Sequence, residues 1–328
     1  MKILVTGGCG FVFSNFIKYM LEKHPNYEII NLDALTYAGN LNNTKELIKN
    51  PRYTFVKGNI CNKFIVEKLV KKVDVVINGA AEAHVDRSIS DSIPFVKTDV
   101  LGVATLLDAV RKFKPQKFIQ ISTDEVYGHI QKGSFNENDK LSPRNPYAAS
   151  KAAAEMLAMS YFETYNIPLI ITRSSNNYGY NHHPEKFIPK TIIYAILNRK
   201  IPIYGNGKNV RDWLFVLDNC EAIDKVMHNG QIGEVYNIAG KQELENIDVV
   251  KMILKILNKE KDLMEFVKDR PGHDLRYSMN IDKIRKIGWK PNTEFVEGIR
   301  KTISWYQKNR LWWEEIIKKQ QIDFHQNF

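Results

Sequence analysis

Tyr147 and Lys151, in the stretch YAASK, stand four residues apart. On a helix that spacing puts phenol and ammonium on one face, where the cation favours the phenolate and the pair makes a proton acceptor. Upstream, STDEVYG places Thr123, Asp124 and Glu125 directly after the apolar run KFIQI. Two adjacent carboxylates at the end of a strand are hard to account for as packing. They stand at the carboxyl end of the strand, where open parallel sheets place their ligands. At the N-terminus, KILVT leads into GGCGFVF, with Gly7 and Gly10 three apart. Strand, glycine turn and helix form the layout in which backbone N–H groups hold a pyrophosphate. Asp33, closing the next strand in NLD, stands where a carboxylate accepts the hydroxyls of an adenosine ribose. A 2′-phosphate would meet that negative charge, so NAD is expected rather than NADP. The position of the third glycine, where helix and strand would pack closely, holds Phe13.

These residues need strand ends and helix starts to hold them, and the chain supplies both. KILVT, YEIINLD, RYTFVKG, VDVVING, KFIQIST and PLIITR read as strands. Between them lie helical stretches to about His24, after Asn42, to Lys72, over 94–113 and over 147–165. Such alternation predicts an α/β fold, a Rossmann-type doubly wound parallel sheet. From about Asn176 the text changes to short mixed strands (PIYG, RDWLFV, GEVYNIAG) with amphipathic helices near 246–258 and 295–309. The expected division is an NAD-binding domain over 1–175, to which some later segments return, and a smaller interwoven lobe over 176–328 that mainly binds substrate.

Composition narrows the classes. The chain has 328 residues, 44% of them hydrophobic, enough for a large core. Its net charge of +10 comes from lysines spread in ones and twos, which argues for a solvated surface and an anionic small-molecule ligand rather than nucleic acid. Cys9, Cys61 and Cys220 form no C-x-x-C pair, so neither a disulfide framework nor a zinc site is expected. The eight histidines show no ligand spacing beyond the adjacent His182 and His183, and no metal is expected. Apolar runs too short to span a bilayer, and a first strand that begins at once, predict a soluble cytoplasmic protein.

NLDALTYAGNL, AAEAHVDRSI, STDEVYG, SPRNPYAASKAA, ITRSSNNYG, PEKFIP, NVRDWLFV, GEVYNIAG and DRPGHDLRY run nearly the whole chain. With them the sequence resembles the extended short-chain dehydrogenase/reductases, and within these the nucleotide-sugar 4,6-dehydratases. Asp124 and Glu125 after Thr123 point to that branch over the epimerases and decarboxylases.

The resemblance implies an internal redox cycle on dTDP-glucose or UDP-glucose. Tyr147, its pKa lowered by Lys151 and the nicotinamide, would take the 4-hydroxyl proton. Glu125 would remove the C5 proton, Asp124 would protonate the departing 6-hydroxyl, and Thr123 would bond the 4-oxygen. Gly7, Gly10, Phe11, Val12, Asp33, Asn59, Ile60, Ala80, Ala81, Thr98 and Asn176 fall at NAD positions beside Tyr147 and Lys151. His84, Thr123, Asn177, Glu185, Lys186, Tyr204, Arg211, Asn246, Arg270 and His273 fall at sugar-nucleotide positions. The resemblance also implies a homodimer through the helices near 94–113 and 147–165.

The sequence departs from the pattern at Asn59 for Asp, Asp99 for Asn, Ala83 for Ser, and Tyr180, Asn181, His182 and His183 after NNYG. Ala83 removes one expected hydrogen bond to the ligand. Gly79, where such dehydratases carry a bulky apolar residue, is expected to make room for Phe13. Two other readings stay open, a nucleotide-sugar 4-epimerase and a non-catalytic NAD- or nucleotide-binding regulator.

Overall fold

The computed structural model describes residues 1–269 and 273–322. In chain order the first half contains β1 (Lys2–Thr6), α1 (Phe11–Lys23), β2 (Glu28–Asp33), β3 (Tyr53–Lys57), α2 (Lys63–Val70), β4 (Val75–Asn78) and α3 (Val85–Ser90). There follow α4 (Ile93–Phe95), a π-helical stretch Val96–Gly102, α5 (Val103–Phe113), β5 (Lys117–Thr123), α6 (Pro146–Tyr165) and β6 (Leu169–Ser174). The helix expected after Asn42 is instead a 3-10 segment, Leu41–Leu47. Its inward face is polar: Asn43, 1% exposed, donates to the Cys9 carbonyl at 2.9 Å. With no apolar stripe to bury, the segment is fixed by hydrogen bonds. The helix expected over 94–113 is continuous in path but widened in its middle, where the buried Asp99 accepts from Glu82 N at 3.0 Å and Ser150 Oγ at 2.7 Å.

The second half contributes β7 (Asn176–Tyr178), α7 (Phe187–Ile196), β8 (Ile201–Tyr204), β9 (Val210–Phe215), α8 (Val216–Asn229) and β10 (Val235–Ile238). It ends with β11 (Glu243–Glu245), α9 (Asn246–Ile256), β12 (Met264–Val267), α10 (Asp282–Lys286), α11 (Phe295–Lys308) and α12 (Arg310–Gln320). The main sheet has seven parallel strands among the described residues, in the order β10-β6-β5-β4-β1-β2-β3. Along β1, Ile3 and Val5 enter one core with α1 and α8, while Leu4 enters another with α2, α5 and α6. Strands buried on both faces explain the unbroken apolar runs. Two late elements, β10 and α8, thus belong to the main sheet and its helical layer. A third core gathers α7, α9, α11 and α12 around β9. The strand order reverses between β1 and β4, which places a ligand crevice at the carboxyl ends of those strands.

The opening glycine turn is repaired as expected. β4 pairs with β1, and a Cβ built on Gly79 would lie 2.1 Å from Phe13 Cε2. Phe13, 4% exposed, thus lies where a side chain at 79 would have to be.

Candidate active site

A cavity of about 1020 Å³ opens over the carboxyl ends of the strands. It is lined by every cofactor, substrate and catalytic candidate named above except Arg270, which lies outside the described residues. At one end, Gly7 takes φ +72° and its Cβ would come within 2.9 Å of the Ala80 backbone, so only glycine fits. Gly10 caps α1 without a side-chain bond, leaving the first helical N–H groups turned to the cavity end. Asp33 accepts from Cys9 N at 2.8 Å and Leu35 N at 2.7 Å. Those two bonds fix the carboxylate, while burial pushes its pKa up. Asn59 has its amide oxygen on Cys61 N at 2.8 Å.

At the middle of the cavity, β5 ends in Thr123, whose hydroxyl caps the next turn through Glu125 N at 3.3 Å and donates to Asp124 Oδ1 at 3.1 Å. Asp124 is 3% exposed and its Oδ2 has no hydrogen-bond partner. Burial, then the neighbouring Glu125, pushes its pKa well above the usual carboxylate range, the direction an acid needs. Glu125 accepts from Asn145 Nδ2 at 3.1 Å. The same Asn145 caps α6 through Ala148 N at 2.8 Å, so one residue both starts the helix and anchors the carboxylate.

Tyr147 and Lys151 follow on α6, but not with the pKa relation expected from their spacing. Lys151 donates to the Ile121 carbonyl at 2.7 Å, and burial pulls its pKa down against Asp99 and Glu155. Burial drives the Tyr147 phenol up, helped by Glu125 and Asp99, with a Thr123 hydrogen bond working the other way. The difference has a plain cause: burial comes first, and the carboxylates of Glu125 and Asp99 add to it. Asp99 itself is pushed up to about 6 by burial, while Lys151 pulls it down.

The far wall comes from the second half. Arg211 lays its guanidinium over the Tyr277 ring at 4.4 Å and donates to the Val210 carbonyl at 2.8 Å. Lys186 donates to the Ala83 carbonyl at 2.6 Å, so the backbone at Ala83 takes part although its side chain cannot. His84 Nε2 is 3.6 Å from Glu185 Oε2, and Tyr204 meets His273 edge to face at 6.1 Å. The amide oxygens of Asn176, Asn177 and Asn246 are buried without a partner. Buried acceptors of this kind call for a polar ligand.

Sequence reasoning passed over several lining residues. Arg87 stacks on Tyr37 at 4.0 Å and pairs with Glu185 at 3.2 Å, although both Arg87 and Tyr37 lie within quoted motifs. His182 stacks on Phe11 at 4.1 Å, and burial pulls its pKa well below the usual imidazole range. Gln320, from α12, reaches back to His183 at 3.0 Å and to the Tyr37 carbonyl, while Trp312 donates to Asn43 at 2.9 Å. No local signal marks Trp312 or Gln320, because their partners stand far away in sequence.

Comparison with known proteins gives a consistent result. The chain is 47% identical over 306 residues to the low-salt glycan biosynthesis protein Agl12 of Haloferax volcanii, covering 93% of this chain and 98% of that one. A dTDP-glucose 4,6-dehydratase of Bacillus anthracis, solved with NAD, superposes with a TM-score of 0.91 at 48% identity, over 96% of this chain and 99% of that one. A dTDP-glucose 4,6-dehydratase of Streptomyces venezuelae, solved with NAD and TYD bound, gives 0.94 at 41%, over 96% and 100% of the two chains. A UDP-glucuronic acid 4-epimerase of Bacillus cereus shares the fold at a TM-score of 0.89 but only 28% identity, over 94% and 99%. The family model described as GDP-mannose 4,6 dehydratase matches residues 4–302. By that match and these identities, the chain belongs to the GDP-mannose 4,6 dehydratase family.

Proposed function

We propose that this protein is an NAD-dependent nucleotide-sugar 4,6-dehydratase, converting dTDP-glucose or UDP-glucose to the 4-keto-6-deoxy sugar nucleotide and water. One observation carries the reading: a buried Asp124, its pKa pushed well up, and its neighbour Glu125 share a cavity with Tyr147 and Lys151. Of the side chains, oxidation at C4 by NAD⁺ needs only the tyrosine as base, whereas removing water across C5 and C6 needs an acid and a base.

Gly7, Gly10 and Asp33 fit NAD, since the glycine turn leaves room only for a close backbone approach and the carboxylate suits a free ribose. Bound NAD⁺ supplies the hydride acceptor at C4, the hydride donor at C6 and a positive charge in the site. Tyr147 takes the 4-hydroxyl proton, with Lys151 behind it and Thr123 bonding the same oxygen. Glu125 then removes the C5 proton, acidified by the 4-ketone, Asp124 gives its proton to the 6-oxygen as water leaves, and a proton returns from Glu125 to C5 as C6 is reduced. Arg211 and Lys186 suit the diphosphate, with His84, Asn177, Glu185, Tyr204, Asn246, Arg270 and His273 around the rest of the ligand.

On this reading residues 1–175 serve mainly the cofactor and 176–328 mainly the sugar nucleotide. Ile93, Val96, Leu101 and Met156 expose apolar side chains at 70%, 51%, 54% and 68%, which supports a homodimer through α4, the π-helical stretch after it and α6. A sedimentation mass of one chain would refute that part. No helix among the described residues is long and apolar enough to cross a membrane, and the three free cysteines suit a reducing cytoplasm.

Incubation with dTDP-glucose and mass spectrometry test the reaction: the product should be lighter by one water, and Glu125→Gln should form NADH transiently without losing water. An isomer of unchanged mass would make the protein a 4-epimerase. No turnover with retained NAD binding would make it a regulator.

A further inference from the structure

Histidine spacing along the sequence points to no metal, yet the fold assembles a ligand set between residues some 200 positions apart. His24 ends α1, and Asp224 and His228 stand one turn apart on α8, the helix packed against it. Asp224 is 2% exposed. A single oxygen of it, Oδ1, lies 3.0 Å from His24 Nε2 and 3.0 Å from His228 Nδ1. The other oxygen faces Lys23 Nζ at 2.9 Å and the Tyr19 hydroxyl at 3.4 Å. On the outer edge of the His228 ring, Nε2 lies 2.8 Å from the Tyr27 hydroxyl, and the His24 ring stacks on Tyr27 at 4.5 Å. Among the described residues this is the one trio whose ligand atoms all lie within 4.8 Å of one another. None of the three lines the active-site cavity. α1 is 13 residues long, so the cluster stands about 20 Å from the glycine turn.

We propose that His24, Asp224 and His228 bind a first-row divalent ion of the Zn²⁺ class, with water as a fourth ligand, clasping the end of α1 to α8. Two imidazole nitrogens and a carboxylate oxygen suit such an ion better than Ca²⁺ or Mg²⁺. Tetrahedral ligands at zinc distances stand about 3.3 Å apart; the two edges to Asp224 Oδ1 are 3.0 Å and the third, between the imidazole nitrogens, is within 4.8 Å, so side-chain rotation must set that edge to admit the ion. His228 has an outer partner at Nε2, the Tyr27 hydroxyl, while its Nδ1 faces Asp224 Oδ1 at 3.0 Å and also the Asp224 carbonyl oxygen at 2.9 Å, a contact the ion would have to displace. Lys23 works against the ion, because its ammonium pairs with the outer carboxylate oxygen.

Titration of the metal-stripped full chain with Zn²⁺ by calorimetry, and with Co²⁺ by visible absorption, tests the site. One ion per chain and the intense visible bands of four-coordinate cobalt are expected. Binding should be lost in the His24→Gln, His228→Gln double variant with an unchanged circular dichroism spectrum. Tyr27→Phe, a milder change should that double variant misfold, should weaken binding about 10- to 100-fold. Lys23→Met should tighten it. Zn²⁺ affinity equal in wild type and the folded double variant or Tyr27→Phe, or a six-coordinate cobalt spectrum, would reduce the trio to a hydrogen-bonded latch and overturn the proposal.

Discussion

The Phe13 ring occupies the volume that any side chain at position 79 would need, so the two positions form one packing unit. Gly79→Val should destabilise the protein by roughly 1–3 kcal/mol through overpacking. Phe13→Ala should cost about 3–5 kcal/mol by leaving a cavity. The double variant should cost clearly less than the sum, because the valine fills part of the hole. Urea unfolding of all four proteins checks this, and additivity within about 0.5 kcal/mol would remove the coupling. A second residue, Asp99, sets charge rather than volume. Ionised, it holds the proton on both Tyr147 and Lys151. Asp99→Asn should therefore move both limbs of the pH–rate profile to lower pH, since phenol and ammonium each lose their proton more readily. An unmoved profile would show that Glu82, Ser150 and Lys151 already neutralise Asp99 in the working enzyme. The site's members were legible in the sequence because motifs such as STDEVYG and YAASK keep chemically paired residues close together. The field at Tyr147 was not, because burial and carboxylates from the turn after β5 and the π-helical stretch decide it, and a spacing of four residues carries no information about depth.

Strands and long helices were legible as elements because two-faced burial writes unbroken apolar runs, as in KILVT and PLIITR. The 3-10 segment Leu41–Leu47 was misread as a helix because its inward side chains are polar and bind the backbone of the glycine turn, a tertiary choice with no periodic trace. Between α6 and β6 stands the buried pair Glu155–Arg173, with contacts of 2.6–3.2 Å. Arg173 also donates to the Tyr127 hydroxyl at 2.6 Å and the Glu137 carbonyl at 3.1 Å. The pair fixes the helix that carries Tyr147 and Lys151 to the sheet beneath it. Glu155→Ala would leave a guanidinium without its counter-charge, and a loss of about 3–5 kcal/mol is expected in denaturant unfolding. A loss below about 1 kcal/mol, the range of exposed pairs, would show that Arg173 finds full compensation from Tyr127 and Glu137.

For the molecule as a whole, the ligand's base is the part that its architecture fixes least. Thymine differs from uracil by a methyl worth about 0.8 kcal/mol, or roughly fourfold. dTDP-glucose and UDP-glucose should therefore react with kcat/KM values within roughly tenfold of each other, on that same methyl arithmetic. Steady-state kinetics on both decide it, and a ratio above about a hundredfold would demand a discriminating contact in the pocket. The tie between α12 and the N-terminal loops bears on how such a pocket is made. Trp312 grips Asn43 across 269 positions and Gln320 grips Tyr37 across 283. Ribosomes release a chain from its N-terminus, so Asp33, Tyr147 and the acidic pair are all made before Gln320, whose helix lines the same cavity, has been translated. A nascent chain paused before Arg310 would carry the full reaction chemistry behind an unfinished wall, and would retain a nucleotide well only once α12 had emerged.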